Sequence, residues 1–195
     1  MKKLINLSLL VFTLLSLNTV NAAGKVSVEI TNVSVINVSL TEIAKGEKLF
    51  LKDFNGMVLF KTTLNASPIY QKNFNLNKVS NGIYFVETES DYEIKVTPVL
   101  KNESGVSLIT DSEVTIFKPQ IEIVDNKVSV MFLNTRKSPM DLNIYDENGV
   151  KLVEELEIQE KVVERVYDFS NVEKNTYYMY FVLEDRTISE QVIIK

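Results

Sequence analysis

Leu51-Lys-Asp53-Phe-Asn55-Gly56-Met-Val-Leu59, continued by Phe74-Asn-Leu76-Asn-Lys-Val79-Ser-Asn-Gly82-Ile-Tyr84, decides the fold because it occurs twice. The second occurrence is Ile144-Tyr-Asp146-Glu-Asn148-Gly149-Val-Lys-Leu152, continued by Tyr167-Asp-Phe169-Ser-Asn-Val172-Glu-Lys-Asn175-Thr-Tyr177. Gly56 pairs with Gly149 and Tyr84 with Tyr177, both at an offset of 93 residues, with no gap between the two ends. Asn-Gly between alternating strands is a strong hairpin signal. A type I′ turn needs positive φ at both central residues, and Asn then Gly accept it at least cost.

Outward from the repeat, the pattern keeps period two. Val26, Val28 and Ile30 alternate with polar residues, as a half-buried strand does. The parity shifts near Asn32 to Ile36, where a bulge or short turn is expected. Further strands are expected at 48–53, 57–63, 70–76, 83–88, 92–99 and 114–117, with Lys101 to Gly105 as a polar connection. Lys118-Pro119-Gln120 marks a boundary, since Pro cannot donate to a ladder. Beyond it, strands are expected at 127–133, 140–145, 150–157, 162–169, 177–184 and 187–194. No segment keeps a period of 3.6, so helix is limited to a turn at 77–80 and another at 170–174. The core aromatics are expected to be Phe50, Phe54, Tyr70, Phe74, Tyr84 and Phe85, then Phe132, Tyr145, Tyr167, Phe169, Tyr177 and Tyr180.

The N-terminus reads as a secretory signal. Lys2 and Lys3 precede an apolar run to Leu17, and Val20-Asn21-Ala22 offers small residues at a cleavage site, so 1–22 is assigned as signal peptide. No later segment is apolar for the roughly 20 residues a membrane helix needs, so the mature chain is expected to have no membrane span. After cleavage, 19 of the 21 basic residues remain against all 26 acidic ones, a net charge of −7. That balance argues against a nucleic-acid partner. Cys, His and Trp are absent. The chain therefore has no disulfide scaffold, no His-dependent nucleophile and no zinc site of the usual ligands.

The Leu76-x-x-Val79-x-x-Gly82-x-Tyr84 segment resembles the corner of immunoglobulin-like sandwiches, where a Tyr hydrogen-bonds back to upstream backbone. Val86 and Met179 stand where the disulfide Cys of true immunoglobulin domains would be, so the disulfide-free fibronectin-III-like sandwich is the better analogy. Residues 144–195 also resemble the C-terminal sorting domain of type IX secretion cargo, through Ile144 to Gly149, Tyr167 to Val172, Tyr177 and Gln191-Val-Ile-Ile-Lys195. Asn175 replaces the Gly of that pattern, and 51–84 matches it as well from inside the chain. The expected fold is all-β: two tandem small antiparallel β-sandwich (Ig-like) domains, 23–118 and 119–195, after the signal peptide.

Each conspicuous polar group has a structural reading. Asp53-x-Asn55-Gly56 and Asp146-x-Asn148-Gly149 resemble the start of a calcium loop, but the downstream ligands of the EF type are missing. Lys72 and Arg165 fall at equivalent positions, with stems packed and heads in water at a sheet rim. Glu147, Glu154, Glu155, Glu157, Glu160 and Glu164 form an acidic run. A pair of these could hydrolyse glycosides, but no aromatic platform accompanies them in sequence, and a solvated strand face is expected. Tyr178 and Tyr180 alternate against Tyr177 and Met179, so one pair packs and the other either packs or forms a binding patch. Asn32, Asn37, Asn65 and Asn102 head Asn-x-Ser triplets that the Asn- and Ser-rich composition explains. No catalytic, cofactor-binding or metal residue is assigned, and no cofactor is expected.

Together these readings point to a non-catalytic secreted, periplasmic or cell-surface protein. It would bind or adhere to an unknown protein or glycan, or serve as a structural accessory. The alternative is a protein that uses its C-terminal module as an export signal. Function is expected where the copies differ, at 92–111 or on the acidic strand pair.

Overall fold

A computed structural model describes residues 25–109 and 111–195. The expected signal peptide, 1–22, lies outside the described residues. The described chain is all-β, and no α-helix occurs in it. Strands β1 (Val26–Asn32), β2 (Val35–Ile43) and β5 (Ser67–Asn75) form one sheet in the order β1-β2-β5. Strands β3 (Lys48–Asp53), β4 (Val58–Thr63), β6 (Gly82–Glu89), β7 (Glu93–Asn102) and β8 (Gly105–Leu108) form a second, in the order β4-β3-β6-β7-β8. Strand β9 (Val114–Phe117) also pairs with β7.

The later strands repeat this plan. β10 (Gln120–Val124), β11 (Lys127–Leu133) and β14 (Val162–Asp168) form the sheet β10-β11-β14. β12 (Met140–Tyr145), β13 (Lys151–Ile158), β15 (Thr176–Val182) and β16 (Thr187–Ile193) form the sheet β13-β12-β15-β16. Register repeats too: Leu51 opposite Val86 becomes Ile144 opposite Met179, and Tyr84 opposite Val99 becomes Tyr177 opposite Val192. A three-stranded sheet faces a sheet whose central pair is strands three and six. This is the order of an immunoglobulin-like or fibronectin-III-like sandwich, reached twice.

Alternation sends one face of each strand into the core. In the first copy Ile36, Val38, Leu40, Leu49, Leu51, Phe74, Tyr84, Val86 and Val99 form one buried cluster. In the second, Val130, Phe132, Leu142, Ile144, Val163, Met179 and Phe181 do the same, and Ile94, Val96 and Ile116 of β7 and β9 belong to that cluster as well. Val86 and Met179, at the Cys positions of a true immunoglobulin domain, are fully buried in their place.

The hairpins differ from the expected type I′ turn. Gly56 has a φ of 80° and Gly149 one of 78°, but neither Asn55 nor Asn148 has a positive φ. The Gly56 N–H donates to the Asp53 carbonyl at 3.0 Å, the Asp53 N–H to Met57 at 3.0 Å, and the register slips between Leu51 and Lys52. This is the longer hairpin loop with a left-handed Gly at a bulge. The Asp side chain fixes it. Asp53 Oδ1 accepts from the N–H of Asn55 at 3.0 Å and of Met57 at 2.8 Å, and Asp146 Oδ1 from Asn148 at 2.9 Å and Val150 at 2.8 Å.

Other expectations shift with parity. Phe74, Tyr84, Phe132, Phe169 and Tyr177 are core residues as expected, but Phe54 is 69% exposed at the hairpin tip. Tyr145 and Tyr180 lie on the outer face, because Met140, Leu142 and Ile144 take the inward positions of β12. The polar connection at 101–105 is a hairpin that adds β8, a strand the sequence reading omits.

Candidate functional site

The outer face of β13-β12-β15-β16 is built by two cross-strand rows. Tyr145 of β12 lies between Lys151 of β13 and Tyr178 of β15, and Tyr178 is opposite Gln191 of β16. One step along, Asn143 lies between Glu154 and Tyr180, and Tyr180 is opposite Ser189. Outward-facing alternate positions of adjacent strands are close neighbours, so the three tyrosines gather on one surface. The Tyr145 and Tyr180 rings meet edge to face, with centroids 5.6 Å apart and planes at 77°. The Lys151 ammonium lies 5.7 Å from the centre of the Tyr145 ring and pairs with Glu154.

An open groove of about 530 Å³ runs over this surface, lined by Asn143, Tyr145, Tyr178 and Tyr180, with Asp146, Glu147 and Gly149 at one end and Val182 and Thr187 at the other. Asn143 is 8% exposed, and its Oδ1 is buried with no hydrogen-bond donor. An acceptor left in that state costs about 1–3 kcal/mol, so its retention is a feature to be explained.

The equivalent face of the first copy is closed. At the offset of 93, Lys52, Phe85 and Glu87 stand where the second copy has Tyr145, Tyr178 and Tyr180. Ile94, Val96 and Pro98 stand where it has Thr187, Ser189 and Gln191. Glu87 accepts from Lys52 at 2.7 Å and is reached by Arg186 at 3.4 Å. Glu89 is shared by Lys48 at 3.0 Å and Lys118 at 2.8 Å. Burial alone would raise the Glu89 carboxyl, but hydrogen bonds from Lys118 and Lys48 outweigh it and hold it below the ordinary glutamate value. Ile94 and Val96 are buried with second-copy residues. Later strands thus cover one face, while its counterpart is open and tyrosine-rich.

Several of the other sequence candidates are engaged within the fold. Arg165 Nε donates to Glu155 at 2.7 Å and its Nη1 reaches Glu160 at 3.0 Å. Tyr167 donates to Glu155 at 2.6 Å. Burial and then this hydrogen bond push the Tyr167 phenol above its usual value, and the bond to Glu155 likewise raises Arg165. Lys72 lies 5.1 Å over the Phe60 ring, so equivalent rim cations are held by a ring in one copy and by carboxylates in the other. The Glu157 N–H donates to Asp141 Oδ1 at 2.9 Å. Glu154, Glu155 and Glu160 are each paired with a cation. Asp53 and Asp146 serve their own turns, and no acidic cluster among the described residues is placed to hold a metal ion. Among the N-x-S triplets, Asn32 and Asn102 each cap the N–H two residues on, and Asn37 bonds Asn73 at 2.7 Å. Asn65 is exposed between β4 and β5. Tyr177, an expected core residue, packs inward together with Met179.

From sequence, Tyr178 and Tyr180 stand out as an aromatic pair, but Tyr145 and Tyr180 are expected in the core and Asn143 draws no notice. The acidic run is also expected to lack an aromatic platform, whereas Glu154 stands in the row of Asn143 and Tyr180. Parity carries the signal: once Leu142 and Ile144 are inward, Asn143 and Tyr145 face out beside the tyrosines of β15, the neighbouring strand in the sheet.

No family model matches the sequence, and no curated protein does. Among solved structures the chain is similar to the BSP domain of a biofilm-associated protein, at 14% identity and a TM-score of 0.30 over 89% of this chain. It spans 29% of that structure's own length. It is similar to the central fibronectin-III array of RIM-binding protein at 9% identity and a TM-score of 0.30, covering 90% of this chain and 98% of the other. A two-domain fibronectin type III segment of chicken tenascin is similar at 12% identity and a TM-score of 0.29, covering 87% and 97%. Among the described residues no helix is long and apolar enough to cross a membrane.

Proposed function

We propose that this is a non-catalytic binding or adhesion protein of the cell exterior, made of two sandwich modules, 23–118 and 119–195, behind a signal peptide. It contacts a protein or glycan partner through the open tyrosine face of β12, β15 and β16. The observation that carries this reading is the contrast between equivalent faces: among the described residues the second copy has a groove with three tyrosines and an unsatisfied amide oxygen, where the first has Lys52, Phe85 and Glu87. Aromatic side chains with a polar tip suit such surfaces, offering apolar area and a hydrogen-bonding group together. Immobilised protein incubated with a glycan panel and with surface extracts tests it. Wild type retains a partner, and Tyr178→Ala combined with Tyr180→Ala loses it. Equal retention by both proteins places the binding surface elsewhere and overturns the reading.

The export alternative rests on the resemblance of 144–195 to a sorting domain. Deleting 172–195 is a poor test, because it removes β15 and β16 and with them buried Tyr177, Met179, Phe181, Ile188 and Val192. Fusing 119–195 to a passenger protein is cleaner. Export of the fusion by a type IX system supports the alternative, and failure of a folded fusion to leave the cell removes it.

A further inference from the structure

We infer that the open tyrosine face recognises a guanidinium group, presented by an arginine-bearing segment of a protein partner. This rests on the reading of that face as the binding surface and names the chemistry it takes. Three features converge. The groove end carries the carboxylates of Asp146 and Glu147, and no cation belongs to its lining. The ring faces of Tyr145, Tyr178 and Tyr180 attract cations, and the Lys151 ammonium already lies over the Tyr145 ring, 5.7 Å from its centre. The buried Asn143 Oδ1 lacks a donor. Carboxylates, ring faces and an unpaired carbonyl oxygen all ask for a ligand that donates and does not accept. A guanidinium is planar, permanently charged and donor-only, whereas a neutral sugar carries no charge for the carboxylates and ring faces to attract.

The molecule contains a precedent. On the equivalent face of the first copy, Arg186 arrives from the loop before β16 and reaches Glu87, which occupies the position of Tyr180. The sheet face that receives an arginine in one copy is open, acid-fringed and aromatic in the other. The apolar contacts that seat the first copy's face, Ile94 and Val96, are replaced by Thr187 and Ser189, so the second face is suited to a polar segment and not to another packed module.

The test is a titration of isotope-labelled protein followed by NMR, with a blocked Gly-Arg-Gly peptide as probe. The citrulline peptide of the same shape and no charge, a blocked Gly-Lys-Gly peptide and a neutral oligosaccharide are run beside it. The expected result is movement of Asn143, Tyr178 and Tyr180 signals with the arginine peptide, binding at least fivefold weaker with lysine, and none with citrulline. Raised salt and Glu147→Gln each weaken binding, and Tyr178→Ala with Tyr180→Ala weakens it about tenfold. Asn143→Leu separates recognition from structure. Recognition predicts an affinity loss of about fivefold with thermal stability kept or raised, because the orphaned oxygen is gone. Equal binding of the arginine and citrulline peptides, or no movement of this face at millimolar arginine peptide, overturns the inference. Oligosaccharide binding at the same signals without arginine binding keeps the binding face and replaces its ligand. If the alanine variants unfold, the arginine–citrulline comparison on wild type decides alone.

Discussion

The phenol of Tyr84 donates to the carbonyl of Ser80 at 2.7 Å, four residues upstream, and Tyr177 repeats the bond to Glu173 at the same distance. Each pins the turn that delivers the chain from one sheet to the other. Both phenols are raised above their usual value, first by burial and then by nearby carboxylates, which keeps them in the donating form. Tyr84→Phe and Tyr177→Phe keep the ring and delete the bond. Each is expected to cost about 1 kcal/mol in urea denaturation, the usual net contribution of one part-buried hydrogen bond. Neither touches the tyrosine groove, so partner retention should be unchanged.

The hairpin turns give a prediction that separates sequence logic from structure. An Asn-Gly type I′ turn makes Asn55 the sensitive residue. In the observed turn Asp53 Oδ1 takes two backbone N–H groups, while Asn55 is in an ordinary conformation. Asp53→Ala is therefore expected to cost about 1–2 kcal/mol, and Asn55→Ala no more than about 0.5 kcal/mol. Asp146 and Asn148 should behave the same way. A denaturation series in which the Asn variants are the weaker pair contradicts the assigned geometry.

The fold was legible because its signals are local. Period-two alternation, paired Asn-Gly turns and Leu76 to Tyr84 against Phe169 to Tyr177 each act within a few residues. They located the strands and the corners. The site was less legible because it depends on which face of each strand is inward, and Tyr145 has the same composition cue in or out. Parity places Asn143 on the outer face but says nothing of its role. Its meaning comes from Tyr180 across the ladder and from the missing donor. Sequence likewise showed the acidic run but not its partners, since Glu155 meets Arg165 and Tyr167 only when β13 and β14 close the rim of the two sheets.

Glu87 is nearly inaccessible, with 5% of its side chain exposed, and lies between Lys52 and Arg186. Removing both partners leaves a buried carboxylate uncompensated, which costs far more than the pair contributes in the open. Lys52→Met combined with Arg186→Met is expected to destabilise by about 3 kcal/mol or more. The triple variant that also carries Glu87→Gln should recover a large part of that loss. Denaturant midpoints of the double and triple variants check it. A triple variant no more stable than the double one would show that the ion pairs do not control this junction.

Glu190 gives the clearest dependence on pH. It stands opposite Met179, on the core-facing side of the edge strand β16. A charge pointing inward from an edge opposes pairing with a further strand, and it carries a cost. Burial raises its carboxyl above the ordinary glutamate value of 4.5, with Lys118 pulling partly the other way. A carboxyl whose folded pKa exceeds its unfolded one is ionised at the expense of stability. That expense is full at pH 7, shrinks as pH falls through the raised folded value, and is gone below the unfolded value. Glu190→Gln is therefore expected to raise the urea midpoint at pH 7 and to lose its advantage below about pH 4.5. Glu89 has the opposite sign. Its folded value is depressed, so it stabilises at pH 7, and that contribution disappears only as pH falls through the depressed value. Glu89→Gln should thus lower the midpoint at pH 7 and converge with wild type in acid. Measuring both variants from pH 7 to pH 3 tests the pair of signs together. A Glu190→Gln protein less stable than wild type at neutral pH would mean that Lys118 outweighs burial at the β16 edge.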